Sequence, residues 1–99
     1  MNEYESVIII RPTLLKKDCK LLIKDMEFNL KKVSKIINKK FMGIKKLPYK
    51  IEKFDEGIYV SYKFMLKRRD RKPEEEINLI ENYFRTRVEI IKFIVVKCL

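Results

Sequence analysis

The spacing of apolar residues along this chain changes period several times, and each change marks an element. Tyr4 to Arg11 is rich in β-branched residues and stops at Pro12, which predicts a strand. Ile8 and Ile10 fall on one face with Tyr4 and Ser6; Val7 and Ile9 fall on the other with Glu5 and Arg11. The period then becomes helical. Leu15, Cys19, Leu22, Met26, Leu30 and Val33 recur at spacings of three or four, with lysines between them, predicting an amphipathic helix of about five turns. Lys16, Lys17, Lys20 and Lys24 on its flank are expected to be simply solvated.

Ser34–Ile51 alternates poorly. Gly43 predicts a bulge or bend in a long strand, and Pro48 belongs at a strand end or on an edge. A polar turn over Glu52–Glu56 is expected, with Gly57 opening the next run. Ile58, Val60, Tyr62 and Phe64 then face one side, and Tyr59, Ser61, Lys63 and Met65 the other. Lys67–Lys72 is a charged loop. Pro73 suits the first helical position, Glu74–Glu76 suit the positive helix end, and Ile77, Ile80 and Phe84 make the buried stripe. Val88–Lys97 closes the chain as a strand.

The order β-α-β-β-α-β predicts an α+β, ferredoxin-like split fold: a four-stranded antiparallel sheet with two helices on one face. One domain over residues 1–99 is expected, with no linker or repeat. The helix-free face keeps Val7, Ile9, Tyr59, Met65, Ile94 and Val96, a costly apolar surface for a free monomer and hence a candidate protein-partner face.

Charge changes the picture. There are 24 Lys+Arg against 14 Asp+Glu, a net +10, while a hydrophobic fraction of 46% excludes wholesale disorder. Residues 11–50 hold thirteen basic residues and three acids, Asp18, Asp25 and Glu27. From Phe28 to Lys50 there are eight lysines and no acid. A merely lysine-rich proteome would spread its lysines, so this concentration points to a positive surface and a polyanionic partner.

Other chemistry is thin. Cys19 and Cys98 form no metal spacing, there is no His, and Cys19 sits on the apolar helical stripe. The expectations are no disulfide, no metal, no cofactor and a reducing compartment. No apolar run approaches the roughly 20 residues of a bilayer span, and no signal peptide precedes the first strand. No membrane association and no small-molecule substrate are expected.

Three function classes remain. Acylphosphatase-type catalysis needs a phosphate-cradling loop, but the first strand runs into Arg11-Pro12-Thr13 without Gly-rich backbone. No paired carboxylates or activated Cys offer acid–base or nucleophilic chemistry, so an enzyme is not expected. An RNA-recognition motif stacks bases on aromatics of its first and third strands. Here Gly57-Ile58-Tyr59-Val60-Ser61-Tyr62-Lys63 fails that signature, and Tyr59 and Tyr62 lie on opposite faces. A basic protein docked on structured RNA fits better. Lys39, Lys40, Lys45, Lys46 and Lys50, with Arg68, Arg69 and Arg71, give phosphate-directed charge without a stacking platform.

Tyr4-Glu5 opening the first strand, Pro12 closing it, Gly43 through Ile51, Gly57 with the third strand, Arg85-x-Arg87 and Val95-Val96-Lys97 form an ordered set. That set resembles bacterial-type small-subunit ribosomal protein six, from near Tyr4 to Lys97. The resemblance implies a non-enzymatic, ferredoxin-like constituent of the small ribosomal subunit. Its implied partners are the central domain of small-subunit rRNA, small-subunit ribosomal protein eighteen and other ribosomal proteins. It also implies rRNA-side roles for Tyr4, Lys45, Lys46, Arg85 and Arg87.

Leu47-Pro48-Tyr49-Lys50-Ile51 departs from the usual bacterial Leu-Ala-Tyr-Pro-Ile and is more like mitochondrial members. A mitochondrial ribosome is therefore expected, with a bacterial cytoplasm or a plastid ribosome as the alternative. Ser61 stands where a large aromatic often sits, and the chain ends soon after the last strand, so tail-mediated contacts are not expected. The competing functional reading is a free-standing ferredoxin-like RNA-binding or regulatory module.

Overall fold

A computed structural model describes residues 3–67, 70 and 72–98. The elements are β1 (Glu3–Ile10), α1 (Lys16–Val33), β2 (Ser34–Ile51), β3 (Phe54–Leu66), α2 (Pro73–Thr86) and β4 (Ile90–Lys97). The sheet order is β2-β3-β1-β4, antiparallel throughout, which is the ferredoxin-like arrangement expected.

The two-residue alternation of β1 and β3 decides which layer forms the core. Tyr4, Ser6, Ile8 and Ile10 of β1 stand beside Phe64, Tyr62, Val60 and Ile58 of β3, and all are buried. Cys19, Leu22, Met26 and Leu30 of α1 and Ile80 and Phe84 of α2 close over them. Leu15, expected on the α1 stripe, is the exposed N-cap residue instead. Asp18 in the first turn and Lys31 and Lys32 in the last suit the helix dipole. Ser34 ends α1 by donating its hydroxyl to the Leu30 carbonyl at 2.6 Å.

The β2–β3 hairpin is longer than its neighbours and gives the molecule a 41 Å long axis. β2 slips register at Ile36/Asn38, at Phe41/Gly43 and at Lys46/Ile51. Gly43 at the second slip has a φ of 75°, a conformation that glycine adopts without penalty. At the third slip Leu47–Lys50 stand opposite Asp55 alone, so the Leu-Pro-Tyr-Lys segment is a wide bulge. Pro48 needs no ladder partner there, and Leu47 tucks back into the protein.

The expected five-residue turn is corrected. Ile51 pairs with Phe54 across a two-residue turn, Glu52-Lys53, in which Glu52 takes a φ of 55°. Gly57 therefore lies inside β3 rather than at its start. It is a glycine because it lies against Ile9 and the Ile10 carbonyl of the neighbouring strand, leaving no room for a Cβ.

Candidate nucleic-acid interface

The sheet face without helices divides into an apolar half and a cationic half. Val7 lies between Ser61 and Ile94, and Glu5 lies between Lys63 and Val96. Ile94 and Val96 on the β4 edge are each about half exposed, and Val7, Tyr59 and Met65 are half-buried. Ile9, expected on this open surface, is corrected to a buried position at 8% exposure, with Gly57 of β3 packed against its side chain. At the same end Tyr49 reaches over from the bulge to β4, where its hydroxyl accepts from Lys92 Nζ and its ring lies 4.9 Å beneath that nitrogen.

The cationic half lies along β2. Two register slips reset the alternation, so Lys35, Lys40 and Lys45 share the open face, opposite Met65, Ser61 and Gly57. Lys63 of β3 stands beside them, 4.0 Å from Glu3. Without the slips, Lys35 and Lys40 would point to opposite faces. The slips are what gather them, and the sequence shows only Gly43 as a trace of one.

Lys46 points to the other side of the edge strand, opposite Glu56, and Lys50 projects from the exposed bulge. Lys39 also faces the helix side, where its Nζ meets Glu27 Oε2 at 2.8 Å. The same carboxylate oxygen accepts from the Tyr62 hydroxyl at 3.1 Å. Burial, reinforced by Glu27, holds the Tyr62 hydroxyl protonated far above the ordinary tyrosine range.

Three of the other residues expected at an RNA surface do not join this edge. Tyr4 is corrected to a core aromatic, 8% exposed and stacked on Phe64 at 6.0 Å. Its position on the inward face of β1, under both helices, dictates that. Arg85 lies over the Phe93 ring at 5.6 Å and 3.7 Å from Glu81. Arg87 is clamped between Asp25 and Glu89, 3.4 Å from each. Asp25 also accepts from the Tyr83 hydroxyl, and burial with this bond raises the Tyr83 pKa. Arg87 is thus a strut joining α1 to the α2–β4 corner. Arg68, Arg69 and Arg71 lie outside the described residues.

Lysines on a sheet edge offer mobile point charges rather than bidentate forks, which suits phosphates and not base edges. Among the described residues no three His, Cys, Asp or Glu converge as a metal site, and no helix is long and apolar enough to cross a membrane.

The sequence profile described as "Ribosomal protein S6" matches residues 3–97. The chain belongs to the ribosomal protein S6 family. It is similar to small ribosomal subunit protein bS6 of Campylobacter jejuni, at 32% identity over 98% of this chain and 74% of that one. The bS6 protein of Synechocystis is 29% identical over 98% of this chain and 81% of its own length. The crystal structure of 30S ribosomal protein S6 from Thermotoga maritima matches with a TM-score of 0.85 at 27% identity, covering 98% of this chain and 87% of that one. Membership makes the chain a structural constituent of the small ribosomal subunit and not an enzyme.

Proposed function

We propose that this chain, folded as one domain over residues 1–99, holds the central domain of small-subunit rRNA together with small-subunit ribosomal protein eighteen. The division of the open sheet face supports this reading. Ile94, Val96 and Val7 offer an apolar patch of the kind a protein partner covers. Lys35, Lys40 and Lys45 continue the same face as a phosphate-directed edge, with Lys46 and Lys50 projecting beside it. A partner seated on the β4 half and RNA passing the β2 half would then form one composite surface.

Sucrose-gradient sedimentation of the tagged protein tests the assignment, with co-migration at the small subunit expected. A filter-binding assay tests the partnership. Central-domain rRNA should bind weakly to the chain alone and tightly to the pair, and equal affinity with and without protein eighteen would overturn it.

We further propose a mitochondrial ribosome as the site of action. The support is Leu47–Ile51, whose proline precedes the tyrosine as in mitochondrial members and whose first four residues form the bulge described above. The relatives named above are bacterial, so fractionation of source cells into organelle and cytosol decides between the two compartments.

A further inference from the structure

The basic flank of α1 borders a groove. This groove of about 400 Å³ lies between α1 and β2, and its apolar floor is the half-buried Ile23, with Cys19 and Val60 buried beneath it. Lys16, Lys20 and Lys24 stand along its α1 side, and Phe41 lines its β2 side with more than half of its surface exposed. Lys39 also lines it but is neutralised by Glu27. Lys16, Lys20 and Lys24 have no ion pair among the described residues. An apolar floor with three uncompensated cations on one rim is complementary to a ligand that is itself half apolar and half anionic.

We propose that this groove seats an acidic amphipathic helix of a partner protein. Four residues of α-helix rise about 6 Å, so the three lysines form a ladder with that step. A second helix bearing carboxylates at every fourth position has the same step and meets the ladder rung for rung. Its neighbouring apolar side chains then fill the floor, as anchors of a groove-bound helix do. Carboxylates at the rim steer the encounter and fix register, while the apolar anchors supply affinity.

RNA fits this groove less well. The lysines would take phosphates, but the accessible apolar lining is Ile23 and Phe41, and Phe41 alone offers a ring for a base to stack on. The groove also opens on the helix side of the sheet, away from Lys40 and Lys45 on the open face. This partner is therefore independent of the rRNA contact proposed above.

Fluorescence anisotropy on the full chain tests the proposal. The probe is a labelled synthetic amphipathic helix with Glu at three successive four-residue intervals beside a Leu stripe. A scrambled peptide of the same composition and an oligouridine serve as comparisons. The patterned peptide should bind saturably and more tightly than both. Lys20→Glu should weaken it about tenfold. Phe41→Ser should weaken it as well, and Lys45→Glu should leave it unchanged. Both groove positions are exposed, so the fold survives these changes, as circular dichroism would verify. Equal binding of patterned and scrambled peptides, or indifference to Lys20→Glu and Phe41→Ser, overturns the proposal. Tighter binding of oligouridine that is lost with the same two variants assigns the groove to RNA and also overturns it.

Discussion

Gly57 lies so close to Ile9 that a Cβ at position 57 would stand 2.4 Å from Ile9 Cγ2 and 3.3 Å from the Ile10 carbonyl oxygen. This contact sets how closely β3 can approach β1 at this end of the sheet. Gly57→Ala should destabilise the fold by about 1–3 kcal/mol, the usual cost of overpacking. Ile9→Ala removes the clashing methyl, so the double variant should lose less than the sum of the two single losses. Urea unfolding of all four proteins measures that coupling, and strict additivity would show that the hairpin moves away freely.

Alkaline stability should depend on Tyr62 and Tyr83. Burial first, and then Glu27 beside Tyr62 and Asp25 beside Tyr83, raise both folded pKa values above the ordinary tyrosine value of about 10. Below that pH both hydroxyls are protonated whether the chain is folded or not, and their stabilisation is fully present. Above it the unfolded tyrosines ionise while the folded ones stay neutral. The unfolded state then binds fewer protons, and stability falls as pH rises toward the folded values. Unfolding midpoints of the wild type should drop between about pH 10 and 11, and Tyr62→Phe should drop less steeply. Parallel slopes would mean that Tyr62 is accessible to hydroxide.

Arg87 should be a stability residue before it is an RNA residue. Its ion pairs with Asp25 and Glu89 are partly solvated, so Arg87→Ala should cost about 1 kcal/mol or less. Part of that loss should disappear in an Asp25→Asn background, where one of the two pairs is already broken and only the Glu89 pair is left to lose. Thermal melts of the single and double variants give the coupling. An rRNA affinity that falls with no change in melting would return Arg87 to the RNA surface.

The sequence was most legible where one period held over many residues. The α1 stripe from Cys19 to Leu30 and the alternation of Ile58 to Phe64 each have a single buried solution, and both were placed correctly. Legibility failed wherever tertiary approach decided the outcome. Nothing local marks Glu52 as a residue that takes a positive φ, so the sequence predicts a longer turn than the one formed. Gly57 reads as a strand start because glycine is a common boundary, whereas its reason is the Ile9 methyl on the neighbouring strand. The slips in β2 cannot be counted from its lysines, so the shared face of Lys35, Lys40 and Lys45 stayed hidden. The resemblance implies an rRNA-side role for Tyr4, whereas its parity with Ile8 and Ile10 points inward.

The two lysines before the bulge should now separate. Lys45 shares the open face with Lys40, whereas Lys46 points to the opposite side of the edge strand. One RNA passing along the open face should feel Lys45→Glu and Lys40→Glu, each lowering the log–log salt slope by about 0.7–0.9 per lost phosphate contact. Lys46→Glu should leave that slope nearly unchanged. A slope that falls equally for Lys45→Glu and Lys46→Glu would show that the RNA wraps the strand edge instead.

The proposed pairing with protein eighteen should turn on β4. Ile94 is half exposed and neighbours Val7 on the open face, so Ile94→Asp should leave the free chain folded. In the pair the same carboxylate would be buried without a partner, a cost of about 3–5 kcal/mol, and co-purification should fail. Ile9→Asp is a different experiment, because Ile9 is already covered within the chain and the variant should unfold. The contrast locates the contact. If the Ile94→Asp chain melts like the wild type and still binds protein eighteen with undiminished affinity, the partner does not sit on the β4 half of the sheet. The apolar row of Val7, Ile94 and Val96 would then need another cover.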